Sequence, residues 1–142
     1  SYTNYEEIDS DGQPTGVNVT GPKSISKTGR FNYCWPGCLT VMYDADYIGL
    51  VQIKDIKKNN DYAMWLKISQ KAECWLLDET LAKYRKRMGS ISRQSIRTMI
   101  GWHYKLWCEV EEKNPSISFY LTVKNLLFGF MKKILYRKVI NG

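Results

Sequence analysis

The segment NNDYAMWLKISQKAECWLL, Asn59 to Leu77, limits the possible folds more than any other stretch of the chain. Asn and Asp open it, and their short polar side chains suit the free N–H groups of a helix start. Aromatic and aliphatic residues follow directly, so a helix is predicted from near Asn60 to about Lys71. AECWLL, Ala72 to Leu77, then reads as a strand. Upstream, CLTVMY, Cys38 to Tyr43, is a short apolar run rich in β-formers and reads as a buried strand. Alternating strand and helix need a mixed α/β sheet to share one core.

The flanks extend this scheme. Residues 3–9 and 15–21 surround DGQPTG, a Gly- and Pro-containing centre that predicts a β-hairpin. Ser24 to Asn32 reads as a short helix or helical turn. After YRKRMGSISR, the residues Ile96, Met99, Ile100, His103, Leu106, Trp107 and Val110 recur at three- and four-residue steps, a core-facing helical stripe ended by Asn114-Pro115. A second helix is expected from about Ser116 to Val139, apolar at LLFGFM and basic at KKILYRK. Lys124 and Lys132 bracket its apolar run, which is far shorter than the roughly 20 residues of a membrane-spanning helix. The sheet looks incomplete, and the chain starts with Ser rather than Met, so it reads as part of a longer polypeptide. Residues 1–92 are expected to form the sheet-bearing part of a domain, and 93–142 a C-terminal helical extension.

With 142 residues, 44% of them hydrophobic, the chain can build a real core. Four cysteines, Cys34, Cys38, Cys74 and Cys108, with one close pair and a single histidine, fit buried free thiols in a reducing compartment better than disulfides or a zinc site. The +7 charge is uneven. Residues 1–60 hold six basic and seven acidic side chains, and residues 61–142 hold fifteen and seven. A polyanion is therefore a natural neighbour: a nucleotide diphosphate, a nucleic acid or an anionic membrane face.

Read in order, CLTVMYD, NDYAMWLKI and LLDETLAKYRKRMGSIS resemble the C-terminal half of family 2 glycosyltransferases with the GT-A fold, over roughly residues 1–125. The resemblance implies a partial GT-A-like α/β sheet carrying the acceptor side of the site. It implies an inverting, bacterial-type enzyme that moves a sugar from a nucleotide-sugar donor to a saccharide or lipid-linked acceptor in polysaccharide biosynthesis. The nucleotide-binding strands and the metal-binding Asp-x-Asp of that family have no counterpart here, so a divalent metal, Mg or Mn, is expected only in the full-length enzyme, and catalysis by this chain alone is not expected. The carboxylate that often precedes the catalytic Asp in that family is Asn60 here.

The chemistry narrows to a few positions. Inverting transfer needs a base for the acceptor hydroxyl, and the resemblance gives this role to Asp61. From the residues alone, Asp61 is equally a helix cap. Tyr62 and Trp65, on the next turn, offer faces for a sugar, although such aromatics also serve as core. Glu79, after LLD, is placed toward the acceptor cleft. Arg85, Arg87 and Ser90, beside Gly89, could hold the departing diphosphate or simply form a solvated basic loop. Asp9-Ser10-Asp11 and Asp44-Ala45-Asp46 match the metal motif in letters but read as turn residues. His103 falls on the apolar stripe and reads as a packed core imidazole.

The resemblance implies a cytoplasmic protein, peripheral on the inner face of the cell membrane. The basic, apolar C-terminal helix would attach it to an anionic surface. Nucleic acid is not an expected partner of such an enzyme. The competing reading is a basic nucleic-acid-binding or protein-interaction module without catalysis, but no RNA-binding or zinc-finger pattern appears.

Overall fold

The computed structural model describes residues 1–53, 55–87 and 95–139. Along the chain run β1 (Tyr2–Ile8), β2 (Pro14–Val19), β3 (Ser24–Ile25), α1 (Ala45–Ile48), α2 (Asn60–Lys71), β4 (Cys74–Arg85), α3 (Ile96–Lys105), α4 (Pro115–Leu135) and β5 (Arg137–Val139). The strands form one mixed five-stranded sheet in the order β3-β4-β1-β2-β5, flanked by helices. This α/β arrangement is consistent with a GT-A-like sheet.

β1 and β2 form the predicted hairpin. Its turn closes through Asp9, whose Oδ1 accepts from the N–H groups of Asp11 at 2.9 Å and Gln13 at 2.8 Å. Gly12 adopts φ +87°, which a side chain would disfavour. The first Asp-x-Asp is thus a turn, as its residues suggested. The second opens α1, where Asp44 Oδ1 accepts from Asp46 and Tyr47.

β4 pairs with β1 in parallel, which requires a crossover, and the intervening chain, including α2, supplies it. β2 pairs with β1 only from Tyr5 onward, which leaves the Tyr2 end of that edge uncovered, and CLTVMY meets it at a single point rather than as the expected strand. Cys38–Thr40 forms a 3₁₀ turn, closed by the Thr40 hydroxyl donating to the Gly37 carbonyl at 2.8 Å. Only Val41 makes a bridge, to Tyr2. Ser24–Asn32 also departs from expectation. Ser24 and Ile25 add a short strand to β4, and only Gly29–Phe31 turns as a 3₁₀ helix. β4 itself runs well past Leu77, because its register with β1 carries DETLAKYR as strand.

The main hydrophobic cluster joins Tyr62, Ala63 and Leu66 of α2 to Leu106 and Trp107 after α3 and Leu121 of α4. Residues from both sides of position 93 therefore share one core. The stripe predicted along α3 is buried only at its end. Ile96 is 69% exposed and Ile100 43%, whereas Leu106 and Trp107 are fully buried. The chain widens to a π-helical turn at Leu106–Val110, which shifts the face that meets the core.

α4 starts on a side-chain cap, Asn114 Oδ1 accepting from Ile117 N–H at 2.9 Å, with Pro115 in the first turn. Its inward face is mostly polar: Ser118, Thr122 and Asn125 are buried beside Leu121. Phe119, Tyr120, Leu127, Phe130 and Ile134 are exposed. Among the described residues, no helix is long and apolar enough to cross a membrane. After Leu135 the chain turns into β5 and pairs with β2, where the sequence suggested continuing helix.

Candidate functional site

The start of α2 faces a cavity of about 400 Å³, within the size range of small-molecule sites. Asn59 takes a left-handed conformation, φ 58°, and gives no side-chain cap. Its amide donates instead to the Trp102 carbonyl at 3.2 Å, which ties the opening of α2 to α3. Asn60 Oδ1 accepts from the Asp61 N–H at 2.9 Å, and Asp61 Oδ1 accepts from the Tyr62 N–H at 2.8 Å. The backbone thus orients a half-buried Asp61 carboxylate at the cavity wall.

Aromatic rings supply much of the remaining wall. Tyr5 of β1 and Tyr84 of β4 sit with ring centroids 5.7 Å apart, and Tyr33 and Trp102 line the cavity as well. Burial pushes the Tyr33 hydroxyl up to about 12, helped by the Cys34 thiol and the Asp61 carboxylate. Burial, then Glu7, pushes Tyr5 up to about 12. Cys34 is raised further, by burial first and then by Asp61. These groups stay protonated, so they can donate hydrogen bonds but do not compete as bases. His103 also lines the cavity. Burial holds its imidazole below 6.5, a hydrogen bond with Asn125 pulls the other way, and its Nδ1 is buried without a partner among the described residues.

Lys132 reaches the same cavity from α4. Its ammonium donates to the Trp35 carbonyl and stands 5.7 Å from the centre of the Tyr33 ring. Gly129, one turn earlier, lets that ring approach, because a Cβ there would lie 2.8 Å from Tyr33 Cε2.

Of the site residues predicted from the sequence, Asp61 lines this cavity, and Tyr62, Trp65, Glu79, Arg85 and Arg87 are not in its lining. Tyr62 is a core residue, 2% exposed, with its hydroxyl donating to the Arg30 carbonyl at 2.7 Å and its ring edge-on to Trp107. Trp65 borders a smaller cavity of about 140 Å³ that Tyr47 and Ile48 also line, and its Nε1 is buried without a partner among the described residues. Glu79 is exposed on β4. Arg85 donates from Nη1 to the Ser10 carbonyl at 2.6 Å and so braces the hairpin turn. Arg87 is exposed just beyond β4. Ser90, with Gly89, lies outside the described residues. Cys38 is exposed rather than buried, and all four thiols are free. Among the described residues, no group of three or more His, Cys, Asp or Glu could hold a metal.

Sequence reasoning missed Lys132, the three tyrosines and Trp102, and it assigned His103 to the core. A signal for Lys132 was present. Ser118, Thr122, Asn125, Gly129 and Lys132 recur at three- and four-residue steps, a polar stripe on an otherwise apolar helix. Tyr5 and Tyr84 meet only through the β1–β4 register, in which Glu7 faces Tyr84.

No family model matches the chain, and no solved structure matches it. In sequence, the chain is similar to a Bacillus subtilis (strain 168) protein, TuaG, named as a glycosyltransferase of teichuronic acid biosynthesis. The two are 33% identical over 93 residues, which is 65% of this chain and 37% of TuaG. The chain thus spans little more than a third of the relative's length, and that similarity associates it with glycosyltransferases in general.

Proposed function

We propose that this chain forms the acceptor side of an inverting family 2 glycosyltransferase with the GT-A fold, and that Asp61 is its general base. The observation that carries the reading is the Asp61 carboxylate on the wall of an aromatic-lined cavity of about 400 Å³. The similarity to TuaG supports the class. The acceptor hydroxyl gives its proton to the Asp61 carboxylate while its oxygen bonds to the anomeric carbon. The bond from that carbon to the nucleotide diphosphate breaks, and its electron pair leaves with the diphosphate. His103 also lines the cavity, with its pKa lowered by burial.

Tyr33, Tyr84 and Trp102 take the sugar-stacking role in this reading, because Tyr62 is committed to the core. The acceptor is a saccharide or a lipid-linked saccharide. Arg87 and Ser90 remain the candidates for the departing diphosphate, since Arg85 already spends a donor on the hairpin turn. The nucleotide-sugar donor and its Mg or Mn belong to another part of the enzyme. The outward apolar face of α4, with Lys124 and Lys133 beside it, would hold the enzyme on an anionic, cytoplasmic membrane face. Nucleic-acid binding is less well supported, because Lys83, Lys86, Lys105 and Arg137 are each paired with a carboxylate.

Asp61→Asn in the full-length enzyme tests the base. Transfer should fall by about 10²–10⁴-fold with donor binding and thermal stability unchanged. Wild-type transfer by the variant would remove Asp61 from the role.

A further inference from the structure

Lys132 presents an electrostatic problem for the fold. It sits on the inward face of α4, half-buried, and burial lowers its pKa from the ordinary lysine value. Desolvating an ammonium is costly unless an anion offsets it. No carboxylate forms an ion pair with Lys132 among the described residues, whereas Lys83, Lys86 and Lys105 each have one. What Lys132 has instead is one carbonyl, Trp35, and the face of Tyr33. These leave donors of the ammonium without a charged partner. Among the described residues that line the cavity, Asp61 is the acidic one.

We infer that the cavity takes an acceptor bearing an oxyanion, a carboxylate or a phosphate, and that Lys132 is its counter-charge. This rests on the acceptor-side reading of the cavity and adds the class of acceptor. Asp61 then meets a hydroxyl of the sugar, and Lys132 holds the acidic substituent on another carbon of the same or the adjoining ring. The aromatic wall fits the apolar ring faces between these two ends. Two charges of opposite sign at different points of one cavity also fix the orientation of the ligand, which a stacking surface alone would leave free. A neutral sugar would forfeit the pairing and leave the ammonium desolvated without compensation.

The test is calorimetric titration of the full-length enzyme with glucuronate, glucose 1-phosphate, the methyl ester of glucuronic acid and glucose. Glucuronate or glucose 1-phosphate should bind at least tenfold more tightly than glucose, and the stronger of the two identifies the oxyanion. The methyl ester, neutral and nearly the same shape, should bind like glucose. Lys132→Met should erase the preference, so that glucuronate and glucose 1-phosphate bind no more tightly than glucose, and Lys132→Arg should keep part of it. Equal binding of glucuronate, its ester and glucose 1-phosphate by the wild type overturns the inference, even if Lys132→Met fails to fold. So does a preference that survives in a folded Lys132→Met enzyme. If Lys132→Met weakens the nucleotide donor instead, Lys132 serves the donor and the acceptor assignment fails. The broader reading fails separately: it falls if Asp61→Asn leaves transfer intact, whatever the acceptor's charge.

Discussion

Helices α2 and α4 meet the same core with opposite chemistry. α2 turns Tyr62, Ala63 and Leu66 inward, the usual apolar face of an amphipathic helix. α4 turns Ser118, Thr122 and Asn125 inward and leaves Phe119, Leu127, Phe130 and Ile134 outside. The difference separates two kinds of specification. Burial of α2 is driven by apolar area and fixes where Asp61 stands. Burial of α4 draws on directional hydrogen bonds through Asn125 and brings Lys132 to the lining of the same cavity.

Asn125 is the strongest single test of that contrast. Its Oδ1 accepts from Trp107 Nε1 at 2.9 Å, and its Nδ2 donates to the carbonyls of Phe31 at 3.0 Å and Asn32 at 2.7 Å. Asn125→Leu keeps the volume but leaves a buried N–H and two carbonyls unpaired, at about 1–3 kcal/mol for each unsatisfied group. A loss of about 4 kcal/mol in denaturant unfolding is expected. Leu66→Ala, on the apolar helix, should cost about 3 kcal/mol through lost transfer energy and a cavity. If Leu66→Ala proved clearly the more damaging, hydrogen bonding would not be what holds α4.

The contrast also shows what the sequence could and could not reveal. The α2 helix and the hairpin were readable because periodicity and turn chemistry are local signals. CLTVMY misled because its strand propensity was overridden by its tertiary context: Cys38–Thr40 closes into a 3₁₀ turn, and only Val41 bridges to β1. The extension of β4 through DETLAKYR was invisible for the same reason, since only pairing with β1 makes that polar stretch a strand. Within the candidate site, Asp61 was legible as a carboxylate at a helix start. Tyr5, Tyr84 and Trp102 were not, because they come from separate elements that meet only in three dimensions. His103 was read as core because its stripe looked continuous, and the π-helical turn at Leu106 breaks that continuity.

A smaller effect belongs to the far edge of the sheet, where β5 returns from α4. Glu7, 5% exposed, pairs with Lys86 at 2.6 Å and Arg137 at 2.8 Å. Burial alone would raise its pKa, but the hydrogen bonds from Arg137 and Lys86 outweigh burial and hold it below 4.5. A carboxyl with a depressed folded pKa stabilises the protein above its unfolded value, and that contribution is lost as pH falls through the folded value. Glu7→Gln should therefore cost on the order of 2 kcal/mol at pH 7, less than a fully buried pair because both cations are partly solvated. Its stability should also decline less than the wild type's below about pH 4.5. Parallel acid unfolding curves for the two proteins would remove Glu7 as a source of the acid sensitivity.

The outward face of α4 should give the smallest effect on stability, and that smallness is informative. Phe130 is 64% exposed and Ile134 61%, so replacing either with Ser removes little buried area. Stability should change by no more than about 0.5 kcal/mol. The membrane role proposed for this face rests on its exposed apolar side chains and on Lys124 and Lys133 of the same helix. Phe130→Ser with Ile134→Ser in the full-length protein should leave the unfolding midpoint in place and sharply reduce sedimentation with vesicles containing anionic lipid. If the wild-type protein binds anionic and neutral vesicles alike, the proposed membrane role of this face fails. A large loss of stability in the double variant would instead mean that the face packs against protein, and α4 would then be buried on both sides.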